Sequence, residues 1–174
     1  MILLRHAALG AASMTLWLRV REGDGTANWG HPIIEAMIRN VGVGKPIPWC
    51  ACALQTWTDA GALALGVKNP LDGVKYEDTV QSYADWADAQ GGLRPLPPDA
   101  GDAVLYRFGA GARFNHCGIL VSPPSGLTPG APFIAIEGNT DAHGGREGRE
   151  VALKGRAYDP GIMRFVRWDE VKVA

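Results

Sequence analysis

The chain has 174 residues, of which 47% are hydrophobic and 20% charged, a composition typical of globular proteins and not of disordered ones. Its 17 basic and 18 acidic side chains give a formal charge of −1 without any basic cluster, so nucleic acid is not an expected partner. No apolar run approaches the roughly 18 residues that span a bilayer, and we expect no membrane contact. The length favours one domain over residues 1–174, which we expect to be a monomer.

Helical spacing dominates the first half of the chain. Apolar residues three and four positions apart predict a helix between residues 4 and 20, and a second over 32–40 with proline in its first turn. A third helix is predicted from Cys50 to about residue 60, between a proline-containing breaker at 46–48 and Gly61. A fourth is predicted over 77–90, where a pair of glycines follows.

Strand periodicity replaces helical spacing after a proline-rich segment at 95–98. The sequence predicts strands separated by turns rich in Gly and Pro, over 102–108, 116–122, 132–138, 150–154 and 162–168. Helices followed by consecutive strands are typical of an α+β fold, because parallel sheets alternate the two element types. We therefore expect the N-terminal helices to pack on an antiparallel sheet of about five strands.

Cys50 is the first candidate for chemistry, because it is predicted to begin a helix. A thiol in the first turn meets unpaired backbone N–H groups and the positive end of the helix dipole, which favour the thiolate. A free cysteine is also a common small core residue, so position alone leaves both interpretations open. Cys52 points about 200° away around the helix and is expected in the core.

A nucleophilic thiol needs a proton acceptor, usually an imidazole that a third polar group orients. His116 begins an apolar strand after a Gly-rich loop, where its ring could lie at a sheet edge or loop mouth. Glu137 and Asn139 end the next strand and share a face if the strand alternates regularly. Glu137 could then accept a hydrogen bond from the imidazole Nδ1–H, and Asn139 could hold the ring or a substrate carbonyl. The same residues are also typical of a turn at a strand end.

Several short segments, taken in order, form a pattern that recurs in a known family. They are Arg21-Glu22-Gly23 with Asn28-Trp29-Gly30, then Pro48-Trp49-Cys50-Ala51 with Trp57, then 97–106, then Asn115-His116-Cys117-Gly118, and lastly Ile136-Glu137-Gly138-Asn139-Thr140. The pattern resembles the CHAP domains, the cysteine- and histidine-dependent amidohydrolases/peptidases of phage endolysins and bacterial cell-wall enzymes. These domains have a papain-like fold, and the resemblance covers most of the chain.

The resemblance implies a role for each candidate residue. Cys50 would be the nucleophile, His116 the general base and then acid, Glu137 the group that orients His116, and Asn139 an accessory polar residue. The implied reaction is hydrolysis of an amide bond in peptidoglycan through an acyl-enzyme, without a cofactor. The bond would be either the N-acetylmuramoyl-L-alanine amide or a peptide bond of the stem or cross-bridge, and the sequence leaves both open.

The chain also departs from the family pattern. Some phage relatives carry an Asp-rich calcium loop before the nucleophile, whereas residues 30–49 contain no Asp and only Glu35, so we expect no calcium site. Cys117 stands where the family often has valine, and Cys52 where an apolar residue is expected. A disulfide between Cys52 and Cys117 is possible if their helix and strand pack together.

Alternative functions use the same residues differently. Cys50, Cys52, His116 and Cys117 are potential zinc ligands, but Cys-x-Cys on a helix and adjacent residues on a strand diverge, so we expect no metal site. A catalytically silent module, which binds wall peptide or builds a phage particle, is a second alternative. An amidase that acts on a small-molecule amide is a third.

The first 14 residues do not match a cleaved signal peptide, because Arg5 follows apolar residues instead of preceding the apolar stretch. We expect no export signal and no separate wall-binding domain. A phage lysis enzyme, a particle-borne lysin or a bacterial toxin released by another system would each be consistent with these features.

Overall fold

The computed structural model describes residues 3–72, 74, 77–90, 97–111, 113–141 and 148–168. Helices precede strands along this part of the chain. The helices are α1 (Leu4–Trp17), α2 (Pro32–Asn40), α3 (Cys50–Leu65) and α4 (Val80–Ala89), and the strands are β1 (Ala103–Tyr106), β2 (His116–Ser122), β3 (Pro132–Thr140), β4 (Glu150–Ala157) and β5 (Met163–Val166). The predicted α+β class, with N-terminal helices, is confirmed.

The strands form one antiparallel sheet in the order β4-β3-β2-β1-β5, so β2 is its central strand. Helix α3 packs on β2 and β3, and α1 contacts both α3 and the sheet. On the helix side, Leu105, Cys117 and Ile119 join the main apolar core. Val104, Tyr106 and Leu120, which alternate with them, belong to a second apolar cluster on the other face of the sheet.

The prediction that α3 ends at Gly61 is wrong. The helix continues to Leu65 and ends at Gly66, which adopts the left-handed conformation (φ +65°) common after helix C-termini. Gly61 lies inside the helix at its crossing with α1, where an added Cβ would be 2.7 Å from the backbone nitrogen of Ala8. The glycine therefore permits close helix packing instead of stopping the helix.

Other boundaries differ by a few residues. Helix α4 begins at Val80 and not at residue 77, and β1 and β5 are shorter than predicted. Strand β4 extends beyond residue 154 to Ala157, passing through Gly155, a residue type that usually indicates a strand end in a sequence. This extension places Arg156 on the sheet beside β3, which matters for the site.

Among the described residues, the longest apolar helices fall short of what a membrane crossing requires.

Candidate active site

Cys50 is the first residue of α3, and Trp49 is its N-cap. No side chain caps this end of the helix, and the backbone N–H of Ala51 helps to lower the pKa of the Cys50 thiol. The helix start is fixed from outside by Trp49, which is fully buried and donates its indole Nε1–H to Oε1 of Glu22 over 2.9 Å. About 5% of the Cys50 surface is exposed to solvent.

Gly138 sets the distance between this helix start and β3. An added Cβ at Gly138 would lie 2.9 Å from Cβ of Ala53 and 2.9 Å from Cζ3 of Trp49. Any side chain here would push the first turn of α3 away from the sheet. The glycine between Glu137 and Asn139 thus lets the helix tip approach the polar end of β3.

His116 begins β2 and is fully buried. Because β2 is the central strand, His116 does not lie at a sheet edge, contrary to one of the positions expected from the sequence. The preceding residue anchors it: Asn115 donates to the Phe108 carbonyl over 2.7 Å and accepts from the Phe108 N–H over 3.0 Å. These bonds fix the position of Asn115 and therefore that of the adjoining His116.

A 2.8 Å hydrogen bond joins Nε2 of His116 to Oε2 of Glu137 on β3. The sequence predicts that the carboxylate binds Nδ1, so the predicted pairing is right and the predicted nitrogen is wrong. Glu137 reaches the ring from the neighbouring strand, opposite Gly118, and this approach brings it to the Nε2 side. The bond leaves Nδ1 without a hydrogen-bond partner among the described residues. Cys50 lies close enough to this imidazole for the two side chains to shift each other's pKa.

Glu137 also binds groups that the sequence pattern does not reveal. Its Oε1 accepts from the Tyr106 hydroxyl over 2.7 Å and from Nε of Arg156 over 2.9 Å, while Nη2 of Arg156 lies 2.5 Å from Oε2. Both carboxylate oxygens are therefore bound by donors in a fully buried position. Burial opposes charge on Glu137, but the hydrogen bonds from His116 and Arg156 lower its pKa to about 2.

Aromatic rings hold the imidazole from the side. Tyr106 and Phe108 stack at 5.1 Å between ring centroids, and their rings lie 5.6 Å and 5.8 Å from His116. The guanidinium of Arg156 covers both aromatic rings, at 5.2 Å from Tyr106 and 5.4 Å from Phe108. The orientation of His116 is thus fixed by hydrogen bonding and by packing together.

Cys50 interacts with the side chains of both Cys117 and His116. A hydrogen bond from the Cys117 thiol, followed by interaction with His116, lowers the pKa of Cys50 well below that of an ordinary thiol, in spite of burial. Burial also opposes charge on His116, but its bonds with Cys50 and Glu137 raise its pKa to about 9. These opposite shifts favour a thiolate–imidazolium pair, flanked by the Glu137 carboxylate.

Asn139 is fully buried at the end of β3. The regular alternation expected between Glu137 and Asn139 is interrupted. The strand pairing shifts between Glu137 and Thr140, and Asn139 has a φ of +55°. This bulge breaks the regular alternation on which the shared face was predicted. The backbone carbonyl of Asn139 accepts from Gly148 N–H over 3.2 Å.

The remaining histidines play other parts. His6 is exposed on α1, and Nδ1 of His31 accepts from the Ile33 N–H over 3.2 Å at the start of α2. His143 lies outside the described residues.

All three cysteines, Cys50, Cys52 and Cys117, are free and buried. The possible disulfide between Cys52 and Cys117 is not formed. Burial and the neighbouring Cys50 thiol raise the pKa of Cys117. Burial raises the pKa of Cys52 to about 12, in keeping with the core position expected for it.

No cluster suited to a metal ion occurs among the described residues. Glu35 is paired instead with Arg39 on α2, over 2.9 Å.

A cleft of about 440 Å³ lies between the loop after α1 and Arg149. Its lining includes Glu22, Thr26, Asn28 and Arg149. Glu22 connects this cleft with the candidate active site, because its carboxylate also accepts a hydrogen bond from Trp49, the residue before Cys50. Its walls carry both hydrogen-bonding groups and an arginine.

Comparison with known proteins found no matching family model, no matching curated protein and no matching solved structure. The chemical interpretation therefore depends on the residues of the site themselves.

Proposed function

We propose that this protein is a cysteine-dependent hydrolase that cuts an amide bond by acyl transfer to water. The observation that supports this most directly is the 2.8 Å bond between the His116 imidazole and the buried Glu137 carboxylate. Cys50, at the tip of α3, interacts with the same imidazole, which lowers the pKa of its thiol. A carboxylate that cannot be protonated near neutral pH fixes the imidazole tautomer and stabilises its charged form.

The reaction would begin with attack of the Cys50 thiolate on the amide carbonyl. His116 would give its proton to the leaving amine, and the resulting neutral imidazole would take a proton from the water that hydrolyses the thioester. Glu137 would stay ionised throughout, since His116 and Arg156 hold its pKa at about 2. Cys50 is the most accessible of these three residues, since it retains 5% of its surface while His116 and Glu137 retain none.

The oxyanion of the tetrahedral intermediate would be stabilised at the start of α3. The Ala51 N–H already helps to lower the pKa of the Cys50 thiol, and the helix end lacks a side-chain cap that would compete for such donors. Backbone donors fixed in this way are suited to a charge that develops next to the nucleophile.

Peptidoglycan is the substrate class that the resemblance to CHAP domains favours. The scissile bond would be the amide between the lactyl group and L-alanine, or a peptide bond in the stem or cross-bridge. The cleft that Glu22, Asn28 and Arg149 line is our candidate for holding the peptide, with Arg149 and Asn28 as polar contacts. Mass spectrometry of digested peptidoglycan would identify the bond.

The decisive experiment compares wild type with Cys50→Ala on purified cell walls, measuring loss of turbidity and release of soluble amines. Cys52→Ala is the matched control, because it removes a buried thiol from the same helix without touching His116. We expect wild type and Cys52→Ala to be active and Cys50→Ala to be inactive. Equal activity of Cys50→Ala would remove Cys50 from the mechanism, and inactivity of all three would favour the silent binding module.

A further inference from the structure

Cys117 is a buried nucleophile that the proposed hydrolysis does not use. It lies on β2 next to His116, has no exposed surface, and is close enough to Cys50 for the two thiols to shift each other's pKa. Both residues belong to the apolar core in which α3 packs on β2. Cysteines on two elements that pack directly against each other are candidates for a disulfide, which needs Cα atoms about 4.4–6.8 Å apart.

The two sulfurs differ in protonation and in access. The bond with Cys117 and the neighbouring imidazole lower the pKa of Cys50, whereas burial and the proximity of Cys50 raise the pKa of Cys117. Thiolates react with oxidants much faster than thiols do. Cys50, which also retains the only exposed surface of the pair, is therefore the sulfur that an oxidant meets first.

We propose that Cys50 is a site of reversible oxidation by hydrogen peroxide, with Cys117 as the resolving thiol that closes a Cys50–Cys117 disulfide. The inference rests on the proposed function for its effect on activity, since the disulfide would consume the nucleophile. Its chemistry requires only the two cysteines and His116.

The oxidation proceeds in two balanced steps. In the first, the Cys50 thiolate attacks one peroxide oxygen, the O–O bond breaks, and the departing hydroxide takes the His116 proton to form water and a sulfenic acid. In the second, the Cys117 sulfur attacks the Cys50 sulfur, the S–O bond breaks, and the departing hydroxide takes the Cys117 proton. Two sulfurs are oxidised by one electron each and one peroxide is reduced to two waters.

Cys52 does not compete for this role. It lies two residues from Cys50 on α3, so its side chain points about 200° around the helix from that of Cys50. Its pKa of about 12 keeps it protonated. Cys52→Ala is therefore a matched control that removes a neighbouring thiol and leaves the reacting pair intact.

The test treats the reduced full-length protein with hydrogen peroxide, traps free thiols with N-ethylmaleimide under denaturing conditions, and searches the digest by mass spectrometry for linked peptides. We expect wild type and Cys52→Ala to contain a Cys50–Cys117 link, to lose wall hydrolysis, and to regain it with dithiothreitol. Cys117→Val should form no link and should not recover, because its Cys50 proceeds to sulfinic acid.

Absence of the link from oxidised wild type, or a Cys50–Cys52 link in its place, would overturn the inference. Both of these outcomes are measured on wild type, so they do not require Cys117→Val to fold; Cys117→Ser is a second variant. A linked protein that never hydrolyses cell walls would uphold the disulfide and refute the proposed function. An active protein without the link would do the opposite.

Discussion

Gly118 and Glu137 lie opposite each other in the register of β2 and β3, and the absence of a side chain on Gly118 gives Glu137 its route to His116. A Cβ at Gly118 would be 2.7 Å from Cγ of Glu137 and 2.7 Å from the carbonyl oxygen of Ile136. Since His116 precedes Gly118 by two residues, both face the same side of β2. The glutamate therefore crosses the glycine to bind Nε2 of the imidazole.

Gly118→Ala should therefore impair activity more than stability alone explains. The added methyl group meets a backbone oxygen that cannot move away, so Glu137 must shift and its bond with His116 must lengthen. We expect kcat to fall roughly 10²-fold, the scale of a misplaced catalytic group, with an unfolding free energy lowered by about 1–3 kcal/mol from overpacking. Gly155→Ala on β4, where an added Cβ meets no atom within 4 Å, is the control. Equal kinetics for the two variants would contradict this role of Gly118.

Arg156→Met tests the guanidinium that binds Glu137. The variant removes two donors and a positive charge from a fully buried carboxylate, which raises the pKa of Glu137 and leaves its charge less compensated. Breaking a buried ion pair costs roughly 3 kcal/mol, so we expect a clear fall in the unfolding midpoint and a lower kcat. Arg39→Met is the control, because Arg39 forms a surface pair with Glu35 that contributes little. A midpoint and kcat like those of Arg39→Met would show that Glu137 needs no guanidinium.

The pH dependence of Cys50 alkylation reports the thiolate–imidazolium pair. The thiolate forms below the ordinary thiol pKa, and the imidazolium loses its proton only as pH rises through about 9. Hydrolysis should give a bell-shaped profile whose limbs belong to the pair, with the alkaline limb near pH 9. Iodoacetamide should modify Cys50 at neutral pH and spare Cys52, whose pKa is about 12. Comparable alkylation of both residues at neutral pH would exclude an activated Cys50.

Local periodicity predicted that Cys50 begins a helix and His116 begins a strand, and both positions are confirmed. The grouping of these residues with Glu137 into one candidate site came from the family resemblance. Local periodicity could not predict the order of the strands, which results from long-range pairing, and so did not place His116 in the middle of the sheet. Arg156 was missed because Gly155 indicates a strand end, whereas β4 continues through it as the partner of β3. The bulge at Asn139 depends in the same way on the paired strand.

The stability of the fold should depend on pH, because the pKa values of Glu137 and His116 change on folding. The pKa of Glu137 falls from 4.5 to about 2 on folding. Its contribution to the free energy of unfolding is therefore complete above pH 4.5 and is lost as pH falls through about 2. The pKa of His116 rises from 6.5 to about 9 on folding. Its contribution to the free energy of unfolding is therefore complete below pH 6.5 and is lost as pH rises through about 9. Glu137 and His116 by themselves place the maximal unfolding midpoint between about pH 4.5 and 6.5. The lowered pKa of Cys50 adds stability as pH rises toward 9, so it should extend this maximum to the alkaline side.

Glu137→Gln provides the control for this profile, because glutamine keeps the shape of the side chain and removes its charge. The variant should lose much of the decline on the acid side, and its alkaline decline should move to lower pH, since His116 no longer faces a carboxylate. An unfolding midpoint whose pH dependence is the same in wild type and Glu137→Gln would mean that the buried pair is not charged in the folded protein.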